Sequence, residues 1–204
     1  MFNIFAIEES LHKQGYNLIA GCDEVGRGPM AGPLVASAVI LDPNNQIEGL
    51  NDSKVLSKAK RDLLYQEIMS KAIEVQTVFI DVSEVDKLNV YQASKKAMTS
   101  CILNMKSKVD YVLTDAMKLD IDIPYEAIIK GDKKSAAIAA ASIIAKVSRD
   151  QYMTELDKKY PLYGFKNHMG YVTKRHLLAI KEHGVSVHHR RSFKPVMDVL
   201  NNNI

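Results

Sequence analysis

Asn17-Leu18-Ile19-Ala20-Gly21-Cys22-Asp23-Glu24-Val25-Gly26-Arg27-Gly28-Pro29 passes from a short apolar run into two acids and then into a glycine turn. The apolar part reads as a strand. The stretch Pro33-Leu34-Val35-Ala36-Ser37-Ala38-Val39-Ile40-Leu41 is apolar and rich in β-branched residues, stops at Asp42-Pro43-Asn44-Asn45, and reads as its pairing partner. The first strand therefore ends on two carboxylates.

Outward from this pair, strands and helices interleave. Ser57 caps a helix with Leu63, Leu64, Ile68 and Met69 on one face. Val75 to Val82 is expected to form a third strand, and Val90 to Met105 a helix on the spacing of Ala93, Ala97, Met98, Cys101, Ile102 and Met105. Val109 to Thr114 reads as a strand ending at Asp115, and Tyr125 to Ile129 as a short one ending at Lys130-Gly131-Asp132. From Ser135 to Val147 alanine and isoleucine dominate on nearly all sides, so a buried helix pressed close to a sheet is expected. From Tyr152 on, further helices are expected, with loops at Pro161–Gly170 and Gly184–Arg190. The fold class is α/β with a mixed central sheet.

The chain has 204 residues, nearly half of them apolar, which suits one domain with a sizeable core. No apolar run approaches the roughly 18 residues of a membrane helix. The N-terminus lacks a positive segment and is broken by Glu8 and Glu9, so it does not read as a signal peptide. Cys22 and Cys101 have neither metal spacing nor a disulfide framework, and a cytoplasmic location is the expectation. Residues 1–150 carry 18 Lys/Arg against 20 Asp/Glu, while residues 151–204 carry 9 against 4 and hold five of the six histidines. A basic C-terminal quarter suits a polyanion footprint and equally a solubilising surface.

Asp23-Glu24, Asp115 and Asp132 each fall at an expected strand end, where sites of open α/β sheets gather. Strand-end aspartates also serve as turn and cap residues. Four carboxylates in one cleft repel one another, and hard cations such as Mg²⁺ or Mn²⁺, which prefer oxygen ligands, would relieve this. Two such ions about 4 Å apart can support in-line phosphodiester displacement. Gly26-Arg27-Gly28 adds exposed backbone N–H groups and a phosphate-matched guanidinium beside the acids. Taken alone, that segment is also a plain hairpin turn.

With these motifs in place, the sequence closely resembles the ribonuclease HII family. The resemblance rests on Asp23-Glu24-Val25-Gly26-Arg27-Gly28-Pro29 with Ala31-Gly32-Pro33; Asp52-Ser53-Lys54 with Leu56; Thr114-Asp115-Ala116; Lys130-Gly131-Asp132; Ala139 to Val147 with Arg149-Asp150; Gly170-Tyr171 with Thr173; and His189-Arg190 with Ser192-Phe193. It implies a ribonuclease H-like core of about residues 1–158 and a helical C-terminal extension of about 159–204 that helps bind substrate. It implies cleavage of the RNA strand of RNA–DNA hybrids, and nicking on the 5′ side of ribonucleotides embedded in duplex DNA, leaving 3′-hydroxyl and 5′-phosphate ends. Asp23, Glu24, Asp115 and Asp132 would be the metal-binding catalytic carboxylates. Gly26, Arg27 and Gly28 would read the 2′-hydroxyl, the one group that separates RNA from DNA locally. Tyr171 would pack on the sugar of the following deoxynucleotide. Lys54, Lys146, Thr173 and Lys174 are expected to contact the substrate backbone, with solvated lysines as the plainer alternative.

Only 22 residues precede Asp23, too few for the extra N-terminal domain of the related ribonuclease HIII proteins. The tail Val196 to Ile204 shows no aromatic-ended sliding-clamp peptide, and nothing demands more than a monomer. His168, His176, His183, His188 and His189 have no accompanying cysteine and no zinc-finger spacing, so they are expected at the surface or facing phosphate. His188-His189-Arg190-Arg191 reads as a basic patch. Ser142 has no histidine at helical spacing and is expected to be a packing hydroxyl. A non-catalytic binding module should have lost a carboxylate, and none is lost. Another nuclease of the same superfold would not need Gly26-Arg27-Gly28 with Tyr171.

Overall fold

In the computed structural model, residues 3–201 are described. They contain a five-stranded mixed sheet in the order β3-β2-β1-β4-β5. Its strands are β1 (Ile19–Val25), β2 (Leu34–Ile40), β3 (Glu74–Ile80), β4 (Tyr111–Asp115) and β5 (Tyr125–Ile128). β1 lies at the centre. It pairs antiparallel with β2, in the register Asp23 opposite Ser37, and parallel with β4, in the register Cys22 opposite Thr114. The next residue of each parallel strand is Asp23 on one and Asp115 on the other. The register alone therefore sets these two side by side at the C-terminal end of the sheet.

Strand alternation sends Ala20 and Cys22 to one face and Gly21 and Asp23 to the other. The first face meets α4 (Val90–Leu103) through Ala93, Ala97, Met98 and Cys101. The second meets α5 (Ala136–Lys159), which has Ser135 as its N-cap accepting from Ile138 N–H. A Cβ added at Gly21 would stand 2.1 Å from the Ala137 carbonyl carbon, so only glycine opposite alanine permits this approach. α2 (Lys58–Lys71), capped by Ser57, covers α5 with Leu64 and Ile68. The short α1 (Ala6–Lys13) lends Leu11 to the core between β1, β4 and α5.

α5 has 24 residues and is about 36 Å long. Its first half lies on the sheet. Its second half runs past the sheet end, where Met153 and Leu156 join a separate core with Met30, Phe165, Ile180 and Val196. That core is closed by α6 (Phe165–His168), α7 (Lys174–His183) and α8 (Lys194–Leu200). No helix of the described residues is long and apolar enough to cross a membrane.

The third strand is shorter than its hydrophobic run suggested. It ends at Ile80, because the Asp81 carboxylate accepts from Glu84 N–H and starts α3 (Val82–Leu88). The expected loop 161–170 holds a 3-10 turn at Pro161–Tyr163 and then α6. Of the tail 196–204 read for a clamp peptide, residues 202–204 lie outside the described residues.

Candidate active site

Four carboxylates are brought to the C-terminal end of the central strands by three local devices. Asp23 and Asp115 arrive by parallel register. Beyond Asp115 the chain turns through Ala116, which takes φ 54° and donates its N–H to Ile128 O at 3.0 Å. Asp132 does not end β5 directly. It sits in a 3-10 turn, Gly131–Lys133, reached through Lys130 at φ 57°. Non-glycine residues in this region of backbone space are strained, and such strain gathers where a chain must present neighbouring groups. Gly131 N–H donates to Asp115 Oδ1 at 2.8 Å, and a Cβ at Gly131 would lie 2.6 Å from Ile138 Cδ1. The turn carrying Asp132 is thus wedged between Asp115 and α5.

The electrostatics follow from that crowding. Asp23 is buried, and burial, then Glu24, then Asp115 raise its pKa well above the usual carboxylate range; the Ser142 hydroxyl and the Glu24 amide oppose this. Glu24 is raised by burial and held back by Arg27, whose Nη1 lies 3.1 Å from Glu24 Oε1. Asp132 is raised by burial, then by Asp52 and Asp115, with Lys54 acting against them. Every donor in this set is oxygen. The buried negative charge is short of positive partners, and that suits a hard divalent cation. Among the described residues no group of three or more His, Cys, Asp or Glu side chains is already placed to hold a metal ion between them. Magnesium sites that retain several waters do not require one.

Next to the acids, Gly26 takes φ 95° and turns the chain off β1. Gly28 is exposed, and a Cβ there would touch Tyr171 Cε1 at 3.5 Å, so the glycine turn and the tyrosine share one patch of surface. Tyr171 is 42% exposed. It follows Met169 and Gly170, both with positive φ, and Gly170 O accepts from Met30 N–H at 3.0 Å.

The other expected contacts are more mixed. Lys54 is exposed on the loop that also carries Asp52, whose Oδ1 accepts Lys54 N–H at 2.9 Å. Lys174 is exposed at the start of α7. Thr173 is the cap of that helix, its hydroxyl accepting from His176 N–H. Lys146 is occupied by Asp150 at 2.7 Å, one helical turn on. Ser142 is bonded to Ser53 Oγ at 2.8 Å, and it is not only a packing hydroxyl because Asp23 also feels it. Asp52 carries no role in the sequence reading, yet it faces Asp132 and lies 3.8 Å from Lys133 Nζ. Its signal was present in Asp52-Ser53-Lys54, of which only the lysine had an obvious phosphate chemistry.

The histidine expectation is overturned for three of the five, while His183 is exposed as expected and His188 is half-buried. His168, His176 and His189 are buried, and so is Arg190. Tyr171 O needs a donor, so His176 Nδ1 (2.9 Å away) carries the proton and Nε2 accepts. His189 Nε2, 3.0 Å from it, must then donate, leaving His189 Nδ1 to accept from Ser186 N–H. His168 donates through Nε2 to Tyr163 O and accepts at Nδ1 from Gly170 N–H. Every ring nitrogen is satisfied in the neutral form. Burial brings the pKa of His176 down to about 4 and that of His189 to about 3. Aromatic packing against Phe165 and Tyr163 explains why these rings point inward.

With this geometry described, comparison with known proteins gives a consistent answer. The family model for ribonuclease HII matches residues 20–196. A ribonuclease HII of Bacillus cereus (strain AH820) is 54% identical over 193 residues, 95% of this chain and 75% of that protein. The ribonuclease H2 of Pyrococcus horikoshii OT3 superposes with TM-score 0.80 at 24% identity, over 91% of this chain and 98% of that one. Bst-RNase HIII, solved in complex with Mn²⁺, superposes with TM-score 0.68 at 17% identity, over 94% of this chain and 71% of that one. The two structural likenesses concern the fold. Sequence match and fold together show that the chain belongs to the ribonuclease HII family, and with it to the endoribonucleases that act on RNA–DNA hybrids.

Proposed function

We propose that this protein nicks duplex DNA on the 5′ side of embedded ribonucleotides and cuts the RNA strand of hybrids, leaving 3′-hydroxyl and 5′-phosphate ends. Asp23, Glu24, Asp115 and Asp132 would hold Mg²⁺ or Mn²⁺, two ions in the substrate complex. When bound, such ions neutralise phosphate charge and make water a competent nucleophile at neutral pH. The protein's own part is placement. The strand register presents Asp23 and Asp115 together, and the Gly131 turn brings Asp132 to them.

Selectivity would come from the adjoining surface. Backbone N–H groups of Gly26, Arg27 and Gly28 meet a 2′-hydroxyl without side-chain freedom to lose. The ring of Tyr171 packs on the next sugar, where an added hydroxyl would crowd it. Lys54 and Lys174 line up for phosphate, as does Lys146 if Asp150 releases it; Thr173 fixes the start of the helix that carries Lys174. The protein is read as a cytoplasmic monomer. The observation that carries the proposal is the nearness of the glycine turn to Tyr171, whose ring a Cβ on Gly28 would meet, one strand end away from paired buried carboxylates.

The test is incubation with a duplex holding a single ribonucleotide, with and without divalent metal, followed by mapping of both cut ends. A metal-dependent nick 5′ of the ribonucleotide with a 3′-hydroxyl is expected. Metal-independent cutting, or a 2′,3′-cyclic phosphate end, would refute it.

A further inference from the structure

Arg149 and Arg190 are both 0% exposed, yet among the described residues neither makes an ion pair. Burying a charge is costly, and guanidinium groups are normally kept inside by carboxylates. Here every hydrogen-bond acceptor is a backbone carbonyl, and Arg190 also lies over the Phe193 ring, 5.3 Å from its centroid. Arg190 holds Gly32 O with both Nε (3.1 Å) and Nη2 (2.9 Å), and Arg27 O with Nη1 (3.2 Å). Arg149 holds Pro33 O, Ala31 O and Met169 O at 2.9, 3.1 and 2.8 Å. Four of these five carbonyls belong to residues 27–33, the segment that follows the acidic pair. The fifth belongs to Met169, two residues before Tyr171.

The direction of those carbonyls has a consequence. A trans peptide sets its C=O and N–H on opposite sides. When Arg190 draws Arg27 C=O inward, the N–H of the same peptide unit, that of Gly28, is turned outward. Gly28 is exposed and its N–H has no acceptor among the described residues. A planar fork with five donors holds such divergent carbonyls in fixed directions, whereas a lysine offers one point with three donors. Ladder-like bonds complete the frame: Gly32 N–H to His188 O at 2.9 Å, and Arg190 N–H to Met30 O at 2.8 Å.

We propose that Arg190, backed by Arg149, is a positioning residue for ribose recognition, setting the Gly26–Gly28 turn so that Gly28 N–H faces the substrate beside Tyr171. This rests on the reading that the turn senses the 2′-hydroxyl. Neither arginine touches substrate. Their effect is on what the turn can distinguish.

The experiment measures binding of wild type, Arg190→Met and Arg149→Lys to two duplexes of one sequence, one all-DNA and one with a single ribonucleotide, with Ca²⁺ present. The readout is the ratio of the two Kd values, which loss of stability alone does not move among folded molecules. Wild type should prefer the ribonucleotide. Arg190→Met should lower that preference by about 5-fold or more, the worth of one hydrogen bond, and Arg149→Lys by less. A folded Arg190→Met with an unchanged ratio overturns the assignment. A wild type with no preference instead refutes the ribose-sensing reading on which it rests. If both variants unfold, hydrogen exchange on wild type decides: Met30, Gly32 and Arg190 amides protected as well as the β1 amides support the clamp, and exchange at open-loop rates overturns it.

Discussion

The two ends of β1's C-terminal neighbourhood solve the problem of buried polar groups in opposite ways. On one side Asp23, Glu24, Asp115 and Asp132 crowd together, and Arg27, Lys54 and Ser142 relieve their charge only in part. On the other side, three histidines and two arginines are buried with their hydrogen bonds made to backbone groups and, between His176 and His189, to each other. The first region is arranged to gain stability only from something added. The second is arranged to hold still. A site that must bind cations and a surface that must measure a sugar call for these different designs.

Removing one acid should give the largest effect. Asp23→Asn is expected to lower cleavage by at least about 10³-fold, since it removes an expected metal-binding charge while the amide oxygen can still accept from Glu24 N–H. In the absence of metal the same variant should melt higher than wild type, because a buried like charge has gone. Normal turnover by this variant would end the comparison.

Acid should break the second region. His176 and His189 fold as neutral rings with pKa values of about 4 and about 3, below the 6.5 of a free ring. Between those values the unfolded chain takes up protons that the folded chain refuses. Stability from these rings is therefore whole above pH 6.5 and is lost as pH falls through 6 toward 4, by roughly 3 kcal/mol for His176 alone. Melting temperature against pH reads this directly, and replacing His176 and His189 with apolar residues should flatten the curve. His189→Ala at pH 7 should cost about 2–4 kcal/mol, from an emptied volume and an unpartnered His176 nitrogen, measured by chemical denaturation.

A smaller effect is expected at the boundary between the regions. Tyr171→Ala should reduce kcat/KM at a single embedded ribonucleotide by about 10-fold while affecting long hybrids less, as a ring against one sugar is worth roughly 1–2 kcal/mol. Equal losses on both substrates would remove Tyr171 from junction reading.

The acidic region was largely legible in the sequence, and the buried one was not. Asp23-Glu24 and Asp115 each end an apolar run, so their placement follows from strand patterns that a reader can see. The alanines of α5 and Gly21 likewise announce a close helix–sheet approach. Asp132 was harder, because its turn depends on Gly131 fitting between Asp115 and Ile138, a contact between segments distant in sequence. His189 and Arg190 read as a basic patch because four cationic residues in a row resemble a solvated turn. Their burial is decided by partners far along the chain: Arg27 and Gly32 supply the carbonyls for Arg190, His176 the ring nitrogen for His189, and Phe165 the packing. Strand period reports burial of apolar side chains. It carries no information about which carbonyls will be free to accept a buried guanidinium.

The central claim is that the strand-end carboxylates form one cation site, and thermal melting with increasing Mn²⁺ tests it most directly. Wild type should start lower and rise in melting temperature as Mn²⁺ is added, while Asp23→Asn should start higher and rise far less. Equal shifts in the two proteins, or none in wild type, would contradict it.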